Sequence, residues 1–139
     1  MTKRYALMSI YPQHANAILY GSKRVEFRKR RLPDDIDRVV IYATAPVKAV
    51  VGEFTVWEQV TATPSALWRR FGGGGVEITG DALMGRLKDF MGYYGRSNSP
   101  GTAIVIASPK AYDEPRPLAD YGIVHPPQSW MYLTEEENQ

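Results

Sequence analysis

The sequence contains no cysteine, only two histidines and no long hydrophobic run. Without cysteine the chain can form neither disulfides nor thiolate sites, which agrees with the cytoplasmic location that we expect. No apolar run approaches the ~20 residues that span a bilayer, so we expect no membrane partner. The histidines do not lie in a cluster with the spacing of zinc ligands, so we expect no metal site.

The chain has 139 residues, of which 44% are apolar and 23% are charged. This length fits one domain that is large enough to bury a core. Because no repeat and no linker interrupts the sequence, we predict a single domain over residues 1–139, with a core at about residues 5–133. The acidic end, residues 134–139, is expected to fray.

Positive charge is concentrated in residues 21–31, the basic segment, where six of eleven residues are Lys or Arg, although the net charge of the chain is only +2. A strand here would place Arg24, Glu26 and Arg28 on one face and apolar side chains on the other. Arginine presents a planar fork of donors to phosphate oxygens, so this face predicts an anion site. The alternative is a solvated edge strand whose charges only discourage aggregation.

Strands outnumber helices in the predicted secondary structure. The patterns predict strands at residues 5–10, 38–44, 47–61 and 102–108, a closing strand within 126–133, and helices at 12–20, 64–71 and 79–91. Residues 109–117 are predicted to form a turn region. Gly52 lies inside a long strand, as at a barrel corner. We therefore predict a mainly β fold with flanking helices (α+β), built as a small β-barrel with two to four short helices.

Three further residues are candidates for a cleft. Lys48 is predicted to share a strand face with Val50 and Phe54 if no bulge shifts the register, so that its amine reaches the mouth of the core. Tyr42, across the Ala45-Pro46 turn, would line the same rim. The alternative is that Tyr42 lies in the core and Lys48 in solvent. Arg96 follows two tyrosines in a loop, a combination that stacks on unpaired bases, although core packing explains the tyrosines equally well.

Residues 21–28 resemble the Gly-x-Lys-x-x-Glu-x-Arg signature of ASCH domains (activating signal cointegrator homology). Residues 40–48, 51–54 and 126–130 are similar to later blocks of that family, in the same order, so that the resemblance covers about residues 5–133. It implies a PUA-like β-barrel with a basic cleft between barrel and helices. By position, the residues that it places in or around this cleft are Lys23, Glu26, Arg28, Tyr42, Lys48 and Ser129.

The resemblance implies a protein that binds RNA, with a role in RNA metabolism or in the regulation of transcription or translation. Basic groups would contact phosphates and an aromatic ring would stack on a base of single-stranded RNA. The expected nucleic-acid-binding residues are Lys23, Arg24, Arg28, Lys29, Arg30, Arg31, Tyr42, Lys48, Arg96 and Ser129.

The alternative is a small hydrolase of the same fold, either a ribonuclease or an amidohydrolase acting on an acetylated cytidine or a similar modified nucleoside. Its catalytic residues would be drawn from Lys23, Glu26, Tyr42, Lys48 and Ser129. We expect no cofactor, with Mg²⁺ considered only for a nuclease. The amidohydrolase branch carries Thr at the position of Glu26, which argues against that activity. Glu26 would form an acid–base pair with Lys23 or, the interpretation we favour, an ion pair between Arg24 and Arg28. His14 is expected to be an inert surface residue.

Overall fold

Six strands and two α-helices are present in the computed structural model, which describes residues 4–71 and 99–133. They follow the chain as β1 (Arg4–Ile10), α1 (Pro12–Tyr20), β2 (Val25–Arg28), β3 (Ile36–Ala43), β4 (Ala49–Ala62), α2 (Pro64–Phe71), β5 (Gly101–Arg116) and β6 (Trp130–Leu133). A short 3₁₀ helix, Leu118–Tyr121, precedes β6. The predicted helix at residues 79–91, Arg96 and the acidic end lie outside the described residues. Neither described α-helix has the length and apolar character that crossing a membrane would require.

All six strands belong to one sheet in the order β2-β5-β4-β3-β1-β6. β1 and β3 are parallel, as the long crossover through α1 and β2 allows, and the other neighbouring strands are antiparallel. Within the described residues the edge strands β2 and β6 do not pair with each other, so the sheet is not hydrogen-bonded into a closed barrel. The predicted fold class, mainly β with flanking helices, is confirmed.

Each face of the sheet carries its own apolar cluster. On β1, Ala6 and Met8 point into the first cluster, which also contains Ala15 and Ile18 of α1, whereas Leu7 points into the second. This alternation is the period-two pattern of a strand covered on both sides. The second cluster contains Leu7, Val40, Tyr42, Val50, Tyr121 and Leu133. Both sides of β1 and β3 are therefore packed, which fixes the register of the central strands.

Helix α1 ends where the sequence predicts. Pro12 occupies the first turn, where its missing N–H leaves no bond unmade. Gly21 adopts the left-handed conformation (φ 97°) and its N–H donates to the carbonyls of Ala17 and Ile18. The chain then reverses sharply, since the N–H of Lys23 also donates to the Ala17 carbonyl, at 3.0 Å. This reversal brings the start of the basic segment back against the helix.

The predicted turn at residues 109–117 is wrong, because β5 continues to Arg116. β2 pairs only with residues Thr102 to Val105 of β5, so the outer edge of β5 beyond them has no strand partner among the described residues. An unpaired edge tolerates Pro109 and Pro115, which have no N–H to contribute. Ser108, with φ 49°, marks the bend between the two halves of the strand.

Gly52 permits a close approach of three elements. A Cβ atom at this position would lie 2.5 Å from the Lys110 carbonyl oxygen on β5 and 2.6 Å from a methyl group of Leu19 on α1. The register of β4 against β5 also shifts between Val50 and Gly52, so the predicted irregularity is confirmed. α1 packs against β4 here because the glycine has no side chain.

We expect Gly52→Ala to lower the free energy of unfolding by about 1–3 kcal/mol, the usual range for overpacking a core. Urea denaturation followed by circular dichroism measures the change. Gly21→Ala is the control: its Cβ meets nothing within 4 Å, so it carries only the backbone penalty of a left-handed residue, about 1 kcal/mol. Equal stability of Gly52→Ala and wild type would contradict the close packing.

Candidate functional site

The site lies where the end of β2 approaches β1 and the segment before β6. Arg28, the last residue of β2, donates from Nη2 to the Ser9 carbonyl oxygen at 3.0 Å and from Nη1 to the Ser129 hydroxyl at 3.4 Å. β2 and β6 stand at opposite ends of the strand order, so these contacts require a strongly curled sheet. Arg28 therefore bridges the gap that separates the two edges.

Glu26 anchors Arg28 from beneath. Its side chain is 9% exposed, and its two carboxylate oxygens each hold a different cation. Oε1 accepts from Lys23 Nζ at 3.0 Å, and Oε2 accepts from Arg28 Nε at 2.9 Å and Nη2 at 2.8 Å. Burial alone would raise the pKa of Glu26, but the charges and hydrogen bonds of Lys23 and Arg28 outweigh it and hold that pKa below its ordinary value. Glu26 is thus an ionised acceptor at neutral pH.

Lys23 links this pair to α1. Its ammonium group lies 3.2 Å from His14 Nδ1. An ammonium group can only donate, so in this contact Lys23 is the donor and His14 Nδ1 the acceptor. His14 is half-buried and contacts Lys23, whereas the sequence predicts a surface position; its predicted lack of a chemical role stays a prediction. No local spacing signals this contact, because it arises only when the turn at Gly21 folds Lys23 back along the helix.

A row of side chains extends from the gap across the sheet. Ser9 pairs with Tyr42 on β3, and its N–H donates to the Ser129 carbonyl at 2.9 Å on the other side. The Ser9 hydroxyl donates to the Pro127 carbonyl at 2.7 Å, which fixes the segment before β6. Ser9 thus sets the positions of both Tyr42 and Ser129. Sequence reasoning missed Ser9, since a serine in an apolar strand has no distinguishing pattern.

The sequence predicts Tyr42 at the rim of the cleft or, alternatively, in the core. It is only 5% exposed and packs in the second apolar cluster with Leu7 and Val50. In the described part of the chain, every fully buried side-chain nitrogen and oxygen has a hydrogen-bond partner. The Tyr42 hydroxyl makes no hydrogen bond to a described residue, so its oxygen must be reachable by solvent. The ring belongs to the core, and the hydroxyl oxygen keeps some contact with solvent.

The predicted ion pair of Glu26 with Arg24 is wrong. β2 begins at Val25, and Arg24 before it is exposed. Lys23 takes the predicted place of Arg24 because the non-strand backbone before β2 does not follow the period of two. Of the favoured interpretation, the ion pair of Glu26 with Arg28 is confirmed; the second partner is Lys23, the residue that the alternative interpretation placed beside Glu26.

The remaining cations of the basic segment lie outside this cluster. Arg31 pairs with Asp34 at 3.0 Å and donates to the Gln59 carbonyl at 3.1 Å. Lys29 and Arg30 are exposed in the bend after β2. The strand within the basic segment is limited to Val25–Arg28, and the nucleic-acid-binding role of Lys29, Arg30 and Arg31 stays a prediction.

Lys48 lies in the turn between β3 and β4, at the end of the sheet where Tyr42 lies. It is exposed, and its backbone is left-handed (φ 53°) after the cis Ala45-Pro46 bond. The predicted strand face that joins Lys48 to Val50 and Phe54 is wrong, because the two apolar residues point into different clusters. The structure places Lys48 in solvent near the row, as the alternative interpretation proposed.

Within residues 4–71 and 99–133, no three His, Cys, Asp or Glu side chains form a group that could hold a metal ion. The acceptor most suited to a cation, Glu26, already holds Lys23 and Arg28. What the cluster offers is hydrogen-bond donors, as a site for an anion requires.

Replacing Glu26 by Gln should destabilise the protein by about 3–5 kcal/mol, since it leaves the two half-buried cations Lys23 and Arg28 without a counter-charge. Because the folded-state pKa of Glu26 is below its ordinary value of 4.5, the stability that it contributes is present above that pH and lost as the pH falls through the folded-state pKa. Urea unfolding of both proteins from pH 7 downward should show the difference shrink below about pH 4.5.

Asp34→Asn is the matched control, since the Asp34 side chain is 84% exposed and its pair with Arg31 lies at the surface. It should change stability little at any pH. A Glu26→Gln variant as stable as wild type at pH 7 would contradict the role assigned to the buried ion pairs.

The amino-acid sequence is similar to those of several known proteins. The chain is 42% identical over 71 residues to the ASCH domain-containing ribonuclease of Zymomonas mobilis, an alignment that covers 50% of this chain and 48% of that protein. It is 26% identical over 133 residues to the large ribosomal subunit protein uL22 of Ureaplasma parvum, covering 95% of this chain and 40% of that protein. The chain thus spans about half or less of the length of these curated relatives. No protein-family model matches the sequence.

Solved structures extend the similarity to nearly the whole chain. The crystal structure of ASCH from Zymomonas mobilis superposes with a TM-score of 0.79 at 30% identity, covering 97% of this chain and 91% of that one. A fold shared over this length at this identity confirms the resemblance carried by residues 21–28. The chain belongs to the ASCH domain family.

Proposed function

We propose that this protein binds single-stranded RNA at the gap between β2 and β6 and cleaves it. The observation that carries the proposal is the 42% identity to a protein named ASCH domain-containing ribonuclease. The aligned segment covers half of each chain, so the activity is argued for this protein from its own site. That site must bind phosphates, admit an unpaired strand and supply groups for proton transfer.

The charge of the gap suits a phosphodiester. Lys23 and Arg28 carry two positive charges against the single negative charge of Glu26, which leaves an excess of one. Lys23 has three N–H donors, of which Glu26 and His14 take two, so that one remains for a ligand. Arg28 is already fixed on Glu26 and Ser9, so its orientation toward Ser129 does not have to be established on binding. Such preorganised donors stabilise the charge that develops on a reacting phosphate.

The neighbouring hydroxyl groups suit the chemistry of RNA. In cleavage by internal transfer, the 2′-oxygen of the ribose attacks the adjacent phosphorus while the 5′-oxygen of the next nucleotide leaves. The 2′-hydroxyl loses a proton and the leaving oxygen gains one. We assign proton transfer to the Tyr42 hydroxyl as a relay: it gives its own proton to the departing 5′-oxygen and takes the proton of the attacking 2′-hydroxyl, so that Tyr42 is restored and a 2′,3′-cyclic phosphate is left. Charge stabilisation is assigned to Lys23, Arg28 and Lys48, and orientation of the substrate to Ser129. Glu26 acts as a clamp, because both of its oxygens are occupied and it is ionised.

The strand that enters the gap is unpaired in this proposal. An A-form duplex hides its base edges in a deep, narrow groove, whereas a single strand can present phosphates and unstacked bases to a gap between two elements. The exposed Ser129 and Lys48 at the rim are accessible to such a strand. Mg²⁺ brought in with the RNA phosphates is compatible with this site, so the assay includes the ion as a variable.

We do not extend the proposal to hydrolysis of acetylated cytidine. That activity would need a nucleophile at position 26, where related amidohydrolases resembling this chain carry Thr. A carboxylate held by Lys23 at 3.0 Å and Arg28 at 2.9 Å has no free oxygen for attack. The ion pairs also lower its basicity, and with it its nucleophilic strength.

The test is an assay with end-labelled single-stranded RNA, with Mg²⁺ and with EDTA. Wild type should produce fragments, and Tyr42→Phe should lose about 10²-fold or more in rate, the usual effect of removing a proton-transfer group. A 2′-deoxy oligonucleotide of the same sequence should bind and stay intact. Tyr20→Phe is the matched control, since Tyr20 is 90% exposed on α1. This variant should cleave the RNA at the wild-type rate.

The outcomes separate the two hypotheses. Intact RNA that is nevertheless retained, with an affinity that falls as salt rises, would reduce the protein to a binding module. Cleavage of the 2′-deoxy strand would contradict the proposed attack by the 2′-oxygen. Equal rates for Tyr42→Phe and wild type would remove Tyr42 from the chemistry and leave proton transfer to another group.

A further inference from the structure

The row through Tyr42 continues past the predicted site to Arg116. The register pairs Arg116 of β5 with Val50 of β4 and Val50 with Tyr42, and Ser9 then connects Tyr42 to Ser129. Neighbouring strands are ~4.8 Å apart, so the four steps from Arg116 to Ser129 span ~19 Å along the sheet. Tyr42 lies at the middle of this row, with a cation near each end.

Arg116 lies on the same side of the sheet as Tyr42. Its Nη1 donates to the hydroxyl of Tyr121 at 3.2 Å, and Tyr121 belongs to the apolar cluster that contains Tyr42. The guanidinium carbon also lies 3.8 Å from the centre of the Tyr112 ring, which packs against the same cluster. Two tyrosines therefore hold the guanidinium in one orientation, which lowers the entropy that it loses on binding a ligand.

A second arginine on this side of the sheet, Arg38, also stacks on a tyrosine but is paired with a carboxylate. Arg38 lies over the Tyr5 ring at 4.5 Å, and its Nε pairs with Glu53 at 3.3 Å. Arg116 has the same stacking on a tyrosine and is exposed; it makes no ion pair with any described residue, and the charge of Glu53 acts on it only from a longer distance. A fixed and exposed guanidinium that is not held in an ion pair is the arrangement that binds phosphate oxygens.

We propose that Arg116 is a second phosphate-binding residue, and that single-stranded RNA runs along the row from Arg28 and Ser129, past Tyr42, to Arg116. The inference rests on the proposed function, which it deepens by giving the direction and extent of the RNA path. A single nucleotide is too short to reach both ends of the row. Arg116 therefore contributes to the binding of oligonucleotides and not to the binding of a mononucleotide.

The experiment measures the affinity of wild type and Arg116→Gln for a non-cleavable 2′-deoxy or 2′-O-methyl strand of about ten nucleotides, and for a mononucleotide. We expect Arg116→Gln to bind the oligonucleotide about tenfold more weakly, as for the loss of one charge-assisted contact. The slope of log affinity against log salt should become shallower by about 0.7, the value for one phosphate of a single strand. Affinity for the mononucleotide should not change.

Arg38→Gln is the matched control, because it removes the same charge from the same side of the sheet, four residues from Tyr42 along β3. It should keep the wild-type affinity and salt slope. Arg116→Lys keeps the charge but loses the planar fork, so it should retain the wild-type slope with intermediate affinity. Urea midpoints of all variants establish that they are folded.

If wild type binds the oligonucleotide and Arg116→Gln binds it with the same affinity and salt slope, the proposed RNA path is wrong. The proposed function is not affected by that result. Equal losses in Arg116→Gln and Arg38→Gln would also overturn the RNA path, because the effect would then be one of general charge. A wild type that binds neither strand nor cleaves RNA would refute the proposed function, and the path with it.

Discussion

Burying Glu26 is unfavourable unless both of its carboxylate oxygens are paired, and the local chain is arranged around that requirement. Lys23 supplies one partner from the turn after α1, and Arg28 supplies the other from the end of β2. Removal of either cation would leave a buried charge uncompensated. The pair therefore fixes where Arg28 lies, and Arg28 in turn reaches across the gap to Ser9 and Ser129. Held in this way, the guanidinium is a rigid part of the fold.

The curled sheet converts this local constraint into a site. Ser9 is bonded through its backbone to Arg28 and Ser129 and pairs with Tyr42, so three strands meet at one residue. The result is a line of cations and hydroxyl groups at one end of the sheet. Since the apolar clusters fill both faces around this line, its geometry is set by packing that has no direct part in binding. A strained or mobile loop is not needed to explain it.

Much of the fold could be predicted because its signals are local. Pro12 and Gly21 delimit α1 by their fixed backbone preferences, and the apolar alternation of β1 and β3 reports burial on both sides. Residues 109–117 could not be predicted in the same way, since prolines normally break strands and only the absence of a paired neighbour beyond Val105 admits them here. The bulges of β4 likewise separate Val50 from Phe54, which a strict period of two places together.

From residue spacing alone, the site was predictable only where its residues lie close in sequence; Tyr42 and Ser129 were placed around the cleft by the family resemblance. Lys23, Glu26 and Arg28 stand in one motif, whereas His14, Ser9 and Arg116 join them through the turn at Gly21 and the order of the strands. The exchange of Arg24 for Lys23 as partner of Glu26 has a similar origin, because it depends on the residue at which β2 begins. Contacts set by topology leave no spacing pattern in the chain.

A crystal structure of the protein with a non-cleavable single-stranded RNA analogue tests the central claim most directly. The account predicts a phosphate oxygen within hydrogen-bond distance of Lys23 or Arg28, with Glu26 still holding both cations and a ribose next to Tyr42 and Ser129. A strand bound on another surface, or a Lys23–Glu26–Arg28 cluster that opens to admit it, would contradict the claim that this buried ion pair builds the binding site.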